Sequence, residues 1–307
     1  QTVPNNTRLF QIKSIKGSNL SLVETTNNYV YHVGIANYSE VGFDSINYQN
    51  VGFDDMFIIK SNVTSGVNSW VKIINSGSKG IISPKYMYVD SSENIFIVGQ
   101  FSGSITAGSK KVTSTSIADA FIIKIDSSGN PLWVNSFSNV NIAANKIKID
   151  SDATDVFMVF NKNHLVRMDQ TVGNIIYEKG YDAAVDFRSI ALKDDNLYVA
   201  GSSKVSGVVF GDVTIADKDK GFIIKGDKNA NFSASVQTVG TRASDISDLA
   251  FSSDGAILFA GFSENSMSLK TESNTFTYTY NPNASFTNRI YYYTAKIDMN
   301  LSAVSFL

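Results

Sequence analysis

Four residues, Phe-Ile-Ile-Lys, occur three times in this chain, at 57–60, 121–124 and 222–225. Copies of one apolar segment at long intervals are typical of repeat architectures, in which each unit packs against the next. Because three consecutive residues of the segment are apolar, we expect a strand that is buried on both faces. The chain is therefore predicted to consist of copies of one supersecondary unit.

The second copy shows the unit most completely. Residues 86–89 and 95–99 are β-branched and aromatic runs, the second of which stops at Gly99, and a polar turn separates them. A third run at 119–125 and a fourth at 131–137 follow, again joined by a polar turn. Short apolar runs bounded by Asp, Ser, Asn and Gly predict strands, so the unit holds four strands, A to D.

Five such units fit the chain, at approximately 19–74, 85–137, 144–181, 187–239 and 245–307. Strand C ends in a basic residue in each, namely Lys60, Lys124, Arg167, Lys225 and Lys296. Without a helix-period segment between them, these units predict an all-β fold, a β-propeller of five four-stranded antiparallel blades in one domain, 1–307. Residues 8–13 resemble a D strand without a unit of their own, so we expect them to join the last blade and close the ring.

The second unit also resembles a known repeat. The pattern Asp-x-Phe-Ile-Ile-Lys-x-Asp-Ser-Ser-Gly-x-x-x-Trp from Asp119 to Trp133, with the hairpin at 89–99, resembles the bacterial seven-bladed β-propeller repeat family, whose name does not fix the blade number here. The match is good in the first and fourth units and weak in the third, where His164 begins strand C, and in the fifth, where Tyr291 replaces the Asp. The resemblance implies a scaffold typical of exported or surface proteins of bacteria, and it transfers no catalytic residue.

Composition excludes several classes of function. With 26 basic and 28 acidic residues and no basic run, we do not expect a nucleic-acid partner. No apolar stretch approaches the roughly 20 residues of a transmembrane helix, and no cysteine is present for disulfides, thiolate metal sites or nucleophiles. The start at Gln1 and the richness in Asn, Ser, Thr and Tyr favour an exported, extracellular or cell-surface protein. We expect no cofactor and no metal.

Long loops between strands B and C, at 34–55, 99–119, 201–219 and 261–289, contrast with tight turns elsewhere and should emerge on one rim. Long loops on a rigid scaffold are where binding residues collect. Aromatic residues in the first and last loops are therefore candidates to bind a protein or glycan: Tyr38, Phe43, Tyr48, Phe53, Tyr278 and Tyr280. The alternative is that 276–280, which alternates polar and aromatic residues, is an extra strand packed on its blade.

Acidic residues form a second candidate group. Asp182, Asp186, Asp245 and Asp248 precede or enter the A strands, near the mouth of a central channel. Such carboxylates can bind a cation or act as an acid beside an ionised partner. The alternative, which we favour, is that they accept hydrogen bonds from local backbone amides. Residues 150–155 likewise alternate carboxylates as a calcium loop does, but without its Gly and distal Glu they predict a polar turn.

Enzyme signatures are missing from the sequence, and His32 and His164 occupy strand positions. The leading hypothesis is a non-enzymatic binding or adhesion module that contacts a protein or glycan through its long-loop face. A second hypothesis is a polysaccharide hydrolase or lyase that uses the channel-mouth acids, which would need two carboxyl groups about 5–9.5 Å apart. A third is a structural subunit of a larger surface assembly.

Overall fold

A computed structural model describes residues 18–37, 40–43, 46–49, 51–116, 118–138, 147–239, 243–264, 267–272, 274–278 and 290–306, without the side chains of 18–21, 40–43, 46–47, 267, 278 and 291. These residues are all-β: they form antiparallel sheets and contain no helix. None of their segments is therefore a helix of the length and apolarity that crossing a membrane requires. The chain divides into two compact units, Gln1–Ala144 and Asn145–Leu307.

Unit 1 contains two four-stranded sheets. The first consists, in order, of β1 (Ser18–Thr25), β2 (Tyr29–Ala36), β5 (Asp55–Asn62) and β6 (Asn68–Ile74). The second consists of β7 (Ile81–Val89), β8 (Ile95–Ser102), β11 (Asp119–Ile125) and β12 (Pro131–Phe137). Each sheet has a hairpin inserted between its second and third strands: β3 (Glu40–Phe43) with β4 (Ile46–Gln49), and β9 (Ser104–Ala107) with β10 (Lys110–Thr113).

Unit 2 contains three sheets. The third sheet consists of β13 (Lys148–Ser151), β14 (Asp155–Phe160), β15 (His164–Asp169) and β16 (Ile175–Gly180). The fourth consists of β17 (Val185–Lys193), β18 (Asn196–Ser203), β21 (Lys220–Asp227) and β22 (Phe232–Val239), with a hairpin of β19 (Val208–Phe210) and β20 (Val213–Ile215). The fifth consists of β23 (Ser244–Phe251), β24 (Ile257–Glu264), β27 (Ile290–Ile297) and β28 (Val304–Phe306).

The hairpin of the fifth sheet, β25 (Met267–Lys270) with β26 (Thr275–Tyr278), pairs with another sheet. β25 lies antiparallel beside β22, with Thr238 opposite Leu269, so the fourth sheet has six strands. The five predicted groups of four strands are confirmed in their order and antiparallel pairing. The proposed closing strand at 8–13 lies outside the described residues.

Central strands are buried on both faces. In β5, Phe57, Ile58 and Ile59 are at most 3% exposed. Phe57 and Ile59 pack in one apolar cluster with Ala36, whereas Ile58 belongs to another cluster, with Phe121 and Ile123. Because successive side chains of a strand point to opposite faces, both faces of β5 are apolar contacts. Each such side chain contributes about 1.5–3 kcal/mol when fully buried.

Within each unit, the first strand of a sheet lies against the preceding sheet. β7 contacts β1, β2 and β5 in unit 1. In unit 2, β17 contacts β13 and β14, and β23 contacts β17, β18 and β21. This recurrent packing explains why the repeated residues are apolar: they form the contacts between consecutive sheets.

A recurrent hydrogen bond, which we call the turn latch, joins consecutive sheets at their tight turns. The acceptor is the carbonyl of the second residue in the turn between strands C and D, and the donors are aromatic or basic side chains of the preceding sheet. Trp70 Nε1 and Lys60 Nζ donate to Ser127 O at 3.1 and 3.2 Å. Tyr177 and Tyr198 donate to Lys228 O and Met299 O at 3.1 and 3.0 Å. Lys60, the basic residue predicted to end strand C of the first unit, therefore has a structural partner in the next sheet.

The glycine of strand B marks a β-bulge rather than the end of the strand, so the prediction that the strand stops there is wrong. β8, β18 and β24 each continue beyond their glycine, and the facing A strand shifts register beside it. A Cβ on Gly99 would lie 2.3 Å from Ser83 O, and one on Gly201 would lie 2.2 Å from Asp186 O. Only glycine allows this close approach of the two backbones.

The turn latch predicts that removal of one hydroxyl group lowers the free energy of unfolding. Tyr198→Phe leaves the Met299 carbonyl without this donor, so we expect a loss of about 0.5–1.5 kcal/mol in the free energy of unfolding, measured by urea denaturation. Tyr292→Phe is the control, because Tyr292 is 84% exposed. An equal effect of both substitutions would contradict the latch.

Candidate functional site

The connections between strands B and C carry four hairpins at one end of their sheets. The strand predicted near 276–280 is present over β26, Thr275–Tyr278, but its hairpin pairs with β22 of the fourth sheet, and residues 279 and 280 lie outside the described residues. Ile105, Phe210 and Ile215 in these hairpins are fully buried. The hairpin segments are therefore parts of the apolar cores, and only selected side chains at this end reach solvent.

The aromatic residues predicted to bind fall into three groups. Tyr38 and Tyr280 lie outside the described residues, and the side chains of Phe43 and Tyr278 are not described either. Tyr48 is half-buried, and its hydroxyl donates to Asp55 Oδ2 at 3.1 Å. Phe53 is 62% exposed. Among the described side chains of this group, Phe53 is thus the one presented to solvent.

Tyr48 is fixed to the scaffold. Its ring packs against the cluster of Ala36, Phe57 and Ile59, and its hydroxyl accepts a hydrogen bond from Asn75 Nδ2 at 3.4 Å. Burial, and then the Asp55 carboxylate, raise the pKa of Tyr48 above its usual value. These contacts give Tyr48 a role in holding the β3–β4 hairpin.

Asp55, the acidic residue that begins strand C, organises the loop around Phe53. Its Oδ2 accepts hydrogen bonds from the backbone N–H groups of Val51 and Gly52 at 2.9 and 3.3 Å. Its Oδ1 accepts from the N–H and hydroxyl of Ser76, both at 2.9 Å. Asp119 clamps the preceding Thr115 in the same way, at 2.7 Å. The repeated Asp is therefore a loop clamp.

Three apolar side chains are exposed on this clamped loop and the strand beside it: Val51, Phe53 and Ile81, at 53%, 62% and 41%. We call them the hairpin-end patch. Phe53 N–H donates to Gly80 O at 2.9 Å, and Ile82 N–H donates to Asp54 O at 2.8 Å, so backbone bonds join the two segments. Backbone hydrogen bonds thus hold in place the segments that carry these three exposed side chains. Beside Phe53, burial and then the charge of Asp55 raise the pKa of Asp54.

Two of the four acids that the sequence predicts near a channel mouth, Asp186 and Asp245, meet in space. Arg188 Nη2 lies 2.9 Å from Asp186 Oδ2 and 3.4 Å from Asp245 Oδ2. The guanidinium therefore lies between two carboxylates and ties β17 to β23. Sequence reasoning did not identify Arg188. The signal that could have found it is Gly201, the glycine that lies opposite the β-bulge at Arg188.

The other two acids, Asp182 and Asp248, have separate partners. Asp182 Oδ1 accepts from the N–H of Ala184 at 2.8 Å. Asp248 accepts from the Leu249 N–H at 3.0 Å and the Ser189 hydroxyl at 2.7 Å, and it pairs with Lys148 at 3.1 Å. For these two residues the predicted bonding to backbone amides is present. Thus Asp186 and Asp245 share Arg188, Asp182 makes a local contact, and Asp248 joins β23 to Ser189 of β17 and Lys148 of β13.

Two of the carboxylates at 150–155, Asp152 and Asp155, pair with basic side chains, and Asp150 accepts the Leu192 N–H. Lys228 Nζ lies 2.6 Å from Asp152 Oδ2 and 2.8 Å from Asp195 Oδ1, and Arg167 Nε lies 2.7 Å from Asp155 Oδ1. Asp152 also accepts the N–H groups of Thr154 and Asp155, as a turn residue does. The described residues contain no group of three or more His, Asp or Glu side chains placed to hold a metal ion. The structure thus confirms the polar turn that the sequence predicts at these residues.

A cavity of about 410 Å³ lies on the fifth sheet, with walls from β24, β27 and Phe306. Tyr293 in its wall donates a hydrogen bond to Asp245 O at 3.0 Å, and burial and then the charge of Asp245 raise the pKa of this tyrosine. The volume falls within the range of small-molecule sites. None of the predicted binding or acidic side chains lines it.

Comparisons with known proteins leave the function open. No protein-family model matches the chain, and no curated protein matches it. A solved structure of a protein of unknown function from Bacteroides caccae is similar over 79% of this chain and 82% of that chain, at 11% identity and a TM-score of 0.39.

The pKa of Asp152 generates a prediction about acid stability. Burial alone would raise this pKa, but hydrogen bonds from Lys228 and from backbone N–H groups outweigh burial and lower it to about 2. A lowered folded-state pKa stabilises the protein above the unfolded value of about 3.9, and this contribution is lost as the pH falls toward 2. The difference in urea midpoint between the wild type and Asp152→Asn should therefore shrink from pH 6 to pH 2.5.

The control for this experiment is Asp212→Asn, at an exposed residue in the β19–β20 turn. This variant shows how much the loss of one exposed carboxylate changes the urea midpoint at each pH. A wild-type advantage over Asp152→Asn that stays constant down to pH 2.5 would show that the ion pair does not stabilise the fold.

Proposed function

We propose that this protein is a non-enzymatic binding module that docks a partner protein on its hairpin-end patch. The observation that carries the proposal is the fixed exposure of Val51, Phe53 and Ile81 on segments joined by backbone hydrogen bonds. Exposed apolar side chains grouped on a rigid surface are typical of protein interaction sites. A pre-ordered surface also loses little conformational entropy when it binds.

The chemistry of the patch favours a protein over a glycan. Two of its three side chains are aliphatic, and aliphatic groups fill pockets on proteins but provide no flat ring for a sugar. Tyr48, which could stack on a sugar, is held in the scaffold. A glycan ligand is therefore the alternative outcome of the experiment below.

The scaffold in this proposal is a five-bladed β-propeller, with the five sheets as blades and residues 8–13 as the closing strand. Its support is the turn latch and the packing of first strands on preceding sheets, which recur within each unit. Closure by an added strand is supported by β28, which pairs only with Ala295–Ile297, so that among the described residues no strand lies beside the rest of β27 on the side away from β24. A blade needs both faces of its central strands covered, so a central strand that tolerated truncation on one face would exclude this fold.

The site of action in this proposal is the outside of a cell or its surface, which the composition and the resemblance to the propeller-repeat family support.

The alternative of a polysaccharide hydrolase or lyase receives less support from the acidic residues. Asp186 and Asp245 share Arg188 between them, whereas a glycosidase pair flanks the space that the substrate occupies.

The test compares two variants of the hairpin-end patch with one matched control. Val51→Ser and Phe53→Ser remove apolar surface from the patch, whereas Val67→Ser does so at the opposite end of the first sheet, where Val67 is 64% exposed. Each immobilised protein is incubated with extracellular and cell-surface proteins, and the captured proteins are quantified by mass spectrometry. A protein retained by the wild type and by Val67→Ser should be retained about tenfold less by Phe53→Ser, the loss expected when a central apolar contact of 1–2 kcal/mol is removed.

Two results would contradict the proposal. Equal retention by all variants would mean that the patch does not bind. Retention of no protein, combined with specific binding on a glycan array that Phe53→Ser abolishes, would assign the patch to a sugar. Melting temperatures of all variants are measured to exclude unfolding as the cause.

A further inference from the structure

Asp54 follows Phe53 in the loop that carries the hairpin-end patch, and its side chain is half-buried. The residue forms an isolated parallel bridge with Ile81, in which Asp54 N–H donates to Gly80 O at 3.4 Å and Asp54 O accepts from the Ile82 N–H at 2.8 Å. Residues paired across neighbouring strands point to the same face, so the Asp54 side chain lies beside that of Ile81. A carboxylate and an exposed aliphatic side chain are thus neighbours on this surface.

The Asp54 carboxylate has no partner within the part of the chain that the structure describes: no residue there donates a hydrogen bond to it or forms an ion pair with it. Burial and the charge of Asp55 both disfavour its ionised form. Asp55, by contrast, accepts hydrogen bonds from Val51, Gly52 and Ser76. Asp55 therefore holds the loop together, whereas Asp54 is open to a group from outside the chain.

An acid at the same position of the repeat has a cation in the fourth sheet. Asp54 and Asp219 each lie three residues before a Phe-Ile-Ile-Lys segment, and the Asp219 carbonyl also accepts from the first strand of the following sheet, from the Ser244 N–H at 3.0 Å. Lys204 Nζ, just after β18, lies 3.7 Å from Asp219 Oδ1. The residue just after β2 in the first sheet is Asn37, which carries no charge. The first sheet thus keeps the acid of this pair but lacks the base.

We propose that Asp54 binds a Lys or Arg side chain of the partner protein that docks on the hairpin-end patch, an inference that rests on the proposed function. The aliphatic stem of this side chain lies on Ile81, and its charged end donates to the Asp54 carboxylate. Hydrogen bonds between charged groups are stronger than neutral ones, and opposite charges across an interface select the partner. Asp54 therefore restricts the patch to apolar segments that also carry a basic residue.

A basic side chain suits this site better than a metal ion. Calcium takes about six to eight oxygen ligands, whereas one carboxylate supplies at most two. Both oxygens of the adjacent Asp55 already accept hydrogen bonds from the loop. Within the described residues, moreover, no group of three or more acidic or histidine side chains is placed to hold a metal.

Selection of peptides on the immobilised protein tests the proposal. A phage library of random dodecapeptides is selected on the wild type, and peptides that also bind Phe53→Ser are discarded, so that the retained peptides dock on the hairpin-end patch. We expect Lys or Arg to be enriched over the unselected library at one position, next to apolar residues.

A synthetic copy of the strongest peptide measures the contact itself. Its Kd should rise about tenfold on Asp54→Asn, the loss expected for one charged hydrogen bond, and should be unchanged on Asp212→Asn, at the exposed acid of the β19–β20 turn. Norleucine in place of the basic residue of the peptide should weaken binding to the wild type by the same factor. It should change binding to Asp54→Asn little, because both changes remove one interaction.

The outcomes separate this inference from the docking function of the patch. Retained peptides without an enriched basic residue, or an equal Kd on the wild type and Asp54→Asn, would overturn the role of Asp54 and leave the patch as a docking surface. The absence of any peptide that depends on Phe53 would contradict the patch itself, and the role of Asp54 with it.

Melting temperatures distinguish a binding residue from a structural one. At neutral pH the ionised Asp54 carboxylate destabilises the fold, because its folded-state pKa is raised above that of the unfolded chain. Asp54→Asn removes this charge, so it should melt at or above the temperature of the wild type. A lower melting temperature would assign Asp54 to the scaffold and would also overturn the inference.

Discussion

Burial of both faces of the central strands is the constraint on which the other features depend. In β11 every residue is buried, and in β5 apolar side chains from the two faces belong to different clusters. A strand of this kind is stable only between two layers, because either exposed face would place two or three apolar side chains in water. The repeated Phe-Ile-Ile segment thus requires each sheet to have neighbours.

Charged residues at the ends of these strands fit the same constraint. The Lys60 side chain is only 7% exposed, but its amine reaches Glu93 at 2.7 Å and lies 3.9 Å from the centre of the Tyr29 ring. Its apolar stem is covered by the neighbouring sheet while its charged end finds partners at the turn. The tight-turn end is therefore occupied by contacts between sheets. The hairpin end carries the hairpin-end patch, where we propose that a partner docks.

The sequence predicted the strands well because local patterns specify them. Apolar runs and Asp-Ser-Gly-Asn turns located all five groups of four strands, and the turn acids accept local N–H groups, as Asp126 does from Asn130. Contacts between distant residues were not predictable in this way. The pairing of Arg188 with Asp186 and Asp245 depends on a bulge that rotates one side chain, and the scaffold role of Tyr48 depends on a partner at the start of another strand. The loop hairpins were also missed, apart from 276–280, because their strands are only three or four residues long.

Ile122 and Ile123 test the central constraint most directly, since they are successive residues of β11, point to opposite faces and are both fully buried. The free energy of unfolding is measured for Ile122→Ala and Ile123→Ala by urea denaturation. Burial on both faces predicts that each substitution costs about 2–5 kcal/mol, the range for an isoleucine truncated in a core. A cost below about 0.5 kcal/mol for either one, the level typical of surface substitutions, would contradict the account.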